Sequence, residues 1–236
     1  MKIKNNSARE IDKRVTRAIY QYGLISPGDR ILAAFSGGKD SLAMVWNLAL
    51  KQKGFPINFK LKTVHLETFP GNEKKLEEQK SLLAGWNADF EIINFKSQKN
   101  CFACSKKRRE ILLLKAQEEG YNKIALGHHM DDSLITLLMN ISWNSELAAM
   151  PPSVPQEKGK PQIIRPLILV QEKTIASFIT SQGWPVDKCV CPFAGDSRRN
   201  EMAETLKKLT GGSSSRMYNV WKSLSNIKYS MLPDEK

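Results

Sequence analysis

Cysteine is scarce in this 236-residue chain: Cys101, Cys104, Cys189 and Cys191 are the full set. Four thiols in two tight clusters are too few for the disulfide framework of a secreted protein. Long apolar runs are missing too. The longest uninterrupted ones, residues 31–35 and 42–46, fall far short of the ~18 residues a membrane span needs. Residues 1–17 are polar and basic, without the apolar stretch of a secretory signal. A cytoplasmic location without a membrane partner is therefore expected. Acidic residues are in deficit, 24 Asp and Glu against 36 Lys and Arg, for a formal charge of +12. That imbalance points to an anionic partner, nucleic acid ahead of a membrane surface. With 41% hydrophobic and 25% charged residues, bulk disorder and a collagen-like chain are excluded.

The apolar pattern is that of alternating strands and helices. Residues 8–23 place Ile11, Val15, Ala18 and Ile19 on one helical face. Strands are then expected at 30–35, 59–66, 90–95 and 123–126, with helices at 40–50, 72–86, 105–119 and 131–141 between and after them. Such alternation implies right-handed βαβ units around a parallel sheet. An α/β doubly wound domain is the expected fold. Beyond residue 150 a proline-rich loop or hairpin (151–161) leads to a short strand at Ile163 and Ile164 and a helix near 171–182. A helical tail follows over about 197–228, jointed at Gly211-Gly212-Ser213-Ser214-Ser215.

The first strand runs directly into Ser36-Gly37-Gly38-Lys39-Asp40-Ser41 and then into a helix. Glycines let backbone amides turn inward, and the helix N-terminus adds unpaired N–H donors and partial positive charge, so this is a phosphate-binding arrangement. Ser36 and Ser41 offer hydroxyls, Lys39 an ammonium, and Asp40 a carboxylate that can hold Mg²⁺. The spacing is not that of the Walker A loop.

Cys101-x-x-Cys104 and Cys189-x-Cys191 carry the second signal. In a cytosolic chain such clusters favour metal or redox chemistry. Four thiolates suit tetrahedral zinc, three suit an iron–sulfur cluster with one open iron, and a redox pair or plain buried thiols are the other readings.

Taken together, these motifs resemble the tRNA 2-thiocytidine synthetase (TtcA) family of the PP-loop ATP pyrophosphatase superfamily. Ser36 to Ser41 matches its Ser-Gly-Gly-x-Asp-Ser loop. Cys101-x-x-Cys104 with Lys107-Arg108-Arg109 matches its central cysteines and trailing basic residues. Gly127-His128-His129-Met130-Asp131-Asp132 matches its Gly-His-His-x-Asp-Asp block, and Met150-Pro151-Pro152 and Ile164-Arg165-Pro166-Leu167 match two later signatures. The resemblance runs from about residue 10 to 232. His65-Leu66-Glu67 and Met130 depart from common choices in relatives, which often carry Asp and Arg there.

The resemblance implies a PP-loop fold with a helical C-terminal extension: an N-terminal helix (1–24), an ATP-binding domain with a cluster-binding insertion (25–170), and a helical region (171–236) holding the last cysteine ligand. It implies ATP, Mg²⁺ and a [4Fe-4S] cluster held by Cys101, Cys104 and either Cys189 or Cys191, with Cys191 favoured. ATP would sit on Ser36, Gly37, Gly38, Lys39, Asp40 and Ser41, near Ala34, His65, Gly127 and His128. Lys39, Asp40 and Asp132 would be the catalytic residues. The implied reaction adenylates the 2-carbonyl of an anticodon-loop cytidine, position 32 expected, and exchanges oxygen for sulfur. The implied partners are tRNA and a cysteine desulfurase or other sulfur donor, with a homodimer possible. Residues 96–109 hold six basic residues and no acidic one around the first cysteine pair, marking where RNA phosphate is expected to dock. Arg165 is read either as a phosphate contact or as a structural strand-end arginine.

Overall fold

The computed structural model describes residues 5–67, 73–96, 101–155, 159–187 and 197–232, with backbone alone at 101, 102 and 197. Strands form where β-rich apolar runs meet turn residues: β1 (Arg30–Phe35), β2 (Lys60–Glu67), β3 (Asp89–Asn94), β4 (Lys123–Ala125), β5 (Ser153–Val154) and β6 (Gln162–Ile164). The helices are α1 (Asn6–Tyr22), α2 (Lys39–Gly54), α3 (Glu73–Gly85), α4 (Cys101–Glu118), α5 (Met130–Met139), α6 (Glu172–Gln182), α7 (Ser197–Thr210) and α8 (Ser214–Ser223). A π-helical turn, Asn140–Asn144, extends α5. The expected elements are all present. The largest shift is in α4, which starts at Cys101 rather than at 105, since no glycine or proline interrupts Cys101-Phe-Ala-Cys104. The expected tail is two helices, parted where Gly211 and Gly212 both take positive φ (56° and 69°).

Among the described residues the strands form one sheet in the order β3-β2-β1-β4-β6-β5. Every neighbouring pair is parallel except the short β5–β6 hairpin. This is the doubly wound α/β sheet. Strand order reverses at β1, whose neighbours are β2 and β4, so a crevice forms beyond the carboxyl ends of β1 and β4.

The chain forms two compact units, Met1–His129 with Pro151–Gly195, and Met130–Met150 with Asp196–Lys236. In the first unit α4 covers one sheet face, where Leu112 and Ala116 pack on Leu32, Val64, Leu66 and Ile124. Elsewhere in this unit Trp46 of α2 stacks on Phe178 of α6, ring centroids 4.4 Å apart. Burying such rings is worth roughly 2–3 kcal/mol each. An ionic lattice also ties α4 down: Lys62 bridges Glu91 and Glu119, and Lys115 meets the same two carboxylates at 2.5 and 2.8 Å. The second unit is helical, α5 packing on α7 and α8, with Met202, Leu206 and Met217 buried.

Candidate functional site

The candidate site begins where β1 ends. Gly37 takes a φ of +78°, a left-handed turn that favours glycine, and Gly38 is the N-cap of α2 without any side-chain cap bond. The first-turn amides of a helix have no intrahelical acceptor, so they face the loop as donors. Ser41 knots this turn. Its hydroxyl donates to the Gly38 carbonyl (2.9 Å) and accepts from the Ser36 amide (3.1 Å), and it lies 3.1 Å from the Ser36 hydroxyl. Gly127, just past β4, presses against the same turn: a Cβ there would stand 3.1 Å from the Ser41 nitrogen. Glycine at this position lets the two strand ends approach.

Charge in the loop is concentrated on two side chains. The Lys39 ammonium lies 3.0 Å from Asp40 and 2.8 Å from Glu172, the first residue of α6. Burial opposes its charge, but the contacts with Glu172 and Asp40 outweigh burial and hold its pKa above that of an ordinary lysine. Lys39 therefore stays protonated at any physiological pH. Asp40 Oδ2 serves Lys39, whereas its buried Oδ1 has no hydrogen-bond partner among the described residues. His129 Nε2 stands 3.8 Å from that oxygen, too long for a hydrogen bond. An ionised oxygen held dry without a hydrogen bond is costly and is chemically suited to a hard cation such as Mg²⁺.

The remaining expected residues fall at several places. His65 neighbours the end of β1, its Nδ1 3.0 Å from the Phe35 carbonyl. Ala34 is half-buried and packs against the cluster beneath α4. His128 is half-buried and His129 buried, and it is His129 that faces Asp40. Asp132 belongs to the second unit, where Arg199 of α7 pairs with its Oδ1. Arg165 is buried, and its Nη1 donates to the Pro151 carbonyl at 2.7 Å. Its structural reading is therefore the one the geometry favours. Among the described residues no group of three or more His, Cys, Asp or Glu side chains gathers in a metal-holding arrangement, and no helix is long and apolar enough to cross a membrane.

Cys104 is a free, half-buried thiol one turn into α4, and Cys101 is the helix's first residue. Positions three apart share a helix face. Two cysteines at this spacing suit an iron–sulfur cluster as part of a ligand set. Cys189 and Cys191 lie outside the described residues. Lys106, Lys107, Arg108 and Arg109, on the next turn of α4, are exposed. Arg108 sits over the Phe95 ring at 5.6 Å, and Lys107 makes only a loose surface pair with Glu110 (3.4 Å). Glu172 and Arg199 were not among the expected site residues, and no local motif marks Glu172.

Residues 4–189 match the PP-loop domain family. A tRNA-cytidine(32) 2-sulfurtransferase of Geotalea uraniireducens (strain Rf4) is 35% identical over 238 residues, spanning 96% of this chain and 94% of that protein. Another, of Cronobacter sakazakii (strain ATCC BAA-894), is 33% identical over 98% of this chain and 78% of its own. Among solved structures, the U34-tRNA thiolase NcsA from Methanococcus maripaludis with its [4Fe-4S] cluster has a TM-score of 0.77 at 20% identity, covering 97% of this chain and 84% of that one. NMN synthetase from Francisella tularensis follows with a TM-score of 0.53 at 13% identity over 99% of both chains. At those identities the two structures establish the shared fold.

Proposed function

The chain belongs to the PP-loop family and, within it, to the tRNA-cytidine(32) 2-sulfurtransferases, and from that membership we propose that it is an ATP-dependent tRNA sulfurtransferase acting on an anticodon-loop cytidine. The observation that carries this reading is the intact Ser36–Ser41 loop in a chain that matches those enzymes along 96% of its length.

The nucleotide loop holds ATP through its backbone amides, with Lys39 placed against the phosphates. Asp40, whose buried Oδ1 has no hydrogen-bond partner among the described residues, would be the residue to hold Mg²⁺. The 2-carbonyl oxygen of the cytidine attacks the α-phosphate and diphosphate leaves. The C2–S bond then forms as the C2–O bond to AMP breaks, and AMP departs with the former carbonyl oxygen. Lys39 offsets negative charge as the first step proceeds. Asp132, held by Arg199, is assigned to orient the base. Cys101, Cys104 and Cys191 are the residues assigned to hold a [4Fe-4S] cluster, which supplies sulfur when bound. A cysteine desulfurase or other donor replenishes that sulfur. An anticodon loop presents unstacked bases at low cost, so exposed Lys106, Lys107, Arg108 and Arg109 need only hold the RNA backbone nearby.

The direct test is in vitro. Anaerobically purified protein, ATP, Mg²⁺, a sulfide source and unmodified tRNA are expected to yield AMP and 2-thiocytidine, read by nucleoside mass spectrometry. Cys104→Ala is expected to bind ATP normally and make no thiolated product. Thiolation by that variant at the wild-type rate, or a thiolated uridine as the only product, defeats the proposal.

A further inference from the structure

Helix α3 has no part in the reaction described so far, yet one of its side chains reaches the nucleotide loop. Gln79 is 0% exposed. Its Nε2 donates to the Gly37 carbonyl at 3.0 Å and to the Pro185 carbonyl at 3.1 Å. Two carbonyl acceptors can be met only by the NH₂ end of the amide, which settles how the side chain faces. The Asp187 backbone N–H donates to the same Gly37 carbonyl, also at 3.0 Å. One turn earlier on α3, Lys75 donates to the Val186 carbonyl (3.3 Å) and helps seat that segment. Gln79 Oε1 is left buried with no hydrogen-bond partner among the described residues. It lies 3.3 Å from the place a Cβ on Gly37 would take, and Asp187 Oδ2 lies 2.8 Å from it. The clamp therefore closes only around glycine.

A trans peptide sends its C=O and N–H in opposite directions. With the Gly37 carbonyl drawn outward by Gln79 and Asp187, the Gly38 N–H turns into the loop, where it donates a long hydrogen bond (3.4 Å) to Ser36 Oγ that a phosphate oxygen would replace. Glycine on both sides of a peptide leaves it free to rotate as a unit. Rotated, this one would present a carbonyl instead of a donor to an incoming phosphate. The geometry assigns Gln79 as a positioning residue of the nucleotide loop: by holding the Gly37 carbonyl outward it keeps the Gly38 N–H available to a polyphosphate. The assignment rests on the ATP-binding reading of the loop.

Gln79→Leu and Gln79→Glu keep the side chain's bulk and remove the donor. Binding of a non-hydrolysable ATP analogue is measured for both and for the wild type, along with Michaelis constants for ATP and for tRNA. The analogue's Kd and the ATP KM are expected to rise about tenfold, the scale of one lost hydrogen bond, with the tRNA KM and the turnover at saturating ATP unchanged. A folded variant whose ATP affinity stays within twofold of wild type overturns the assignment. So does a parallel fall in every kinetic parameter, which marks a residue needed only for folding. Hydrogen exchange on the wild-type chain needs no variant: the Asp187 amide is expected to exchange slowly without nucleotide, and fast exchange there also overturns it. Absence of analogue binding to the wild type itself would instead strike the ATP-binding reading, and is told apart by that arm alone.

Discussion

The two compact units differ most in charge. Residues 1–129 and 151–195 carry 28 Lys and Arg against 16 Asp and Glu, whereas residues 130–150 and 196–236 carry eight of each. The entire +12 therefore belongs to the unit that bears the sheet and the nucleotide loop. The neutral unit exposes several apolar side chains, among them Trp143, Tyr229 and Met231, with Arg198 over the Trp143 ring at 5.6 Å. A net field acts over roughly a Debye length of 8–10 Å, while an exposed ring acts only on contact. The difference means that long-range attraction for a polyanion such as RNA is available from the unit that carries the nucleotide loop, and that the helical unit offers no net charge of its own.

The largest expected effect tests whether the chemistry is confined to the charged unit. Asp40→Asn removes the carboxylate with the unsatisfied oxygen, and AMP formation is expected to fall by about 100-fold or more. Binding of tRNA, followed by filter retention, should stay near wild type. Next in size is replacement of Lys106, Lys107, Arg108 and Arg109 by serine. Losing four charges is expected to weaken tRNA binding by at least about tenfold at low salt and to flatten the slope of log K against log salt by roughly 3. If replacing Lys207, Lys208, Arg216 and Lys222 on the neutral unit does the same, the contrast between the units fails.

The sheet and the loop were legible because their signals are contiguous. An apolar run such as residues 30–35 becomes a strand whichever partners it finds, and Ser36 to Ser41 folds largely on itself, Ser41 bonding to Gly38 and Ser36. The start of α4 was misplaced because Cys101-Phe-Ala-Cys104 suits a loop or a helix locally. Glu172, Gln79 and Arg199 escaped for a different reason. Gln79 meets Gly37 across 42 residues and Arg199 meets Asp132 across 67. No local pattern encodes a contact that tertiary folding creates.

A smaller effect sharpens the picture of the loop itself. Glu172 holds the Lys39 ammonium at 2.8 Å, the position in which a phosphate oxygen is wanted, and adds negative charge where ATP must enter. Glu172→Gln is expected to tighten ATP binding about two- to fivefold, since the pair is half-exposed and screened. Weaker binding would show that Glu172 aims Lys39 rather than competing for it.

The smallest effect separates basic residues that reach outward from those spent inside the fold. On α4 the four basic residues of the second turn are exposed, while Lys115 is tied with Lys62 to Glu91 and Glu119. Burial works against Glu91 as a carboxylate, but Lys115 and Lys62 outweigh it and hold its pKa below the ordinary value; Lys115 and Lys62 do the same for Glu119. Groups with depressed folded pKa values contribute fully above the ordinary carboxylate range and lose that contribution as pH falls through the depressed values. Replacing both glutamates by glutamine is therefore expected to cost about 1–2 kcal/mol at neutral pH, by denaturant titration, and progressively less toward pH ~3. Binding of tRNA at neutral pH should strengthen slightly, because two negative charges leave the basic unit while every exposed lysine and arginine stays. A stability gap that persists in acid would assign the lattice to packing instead.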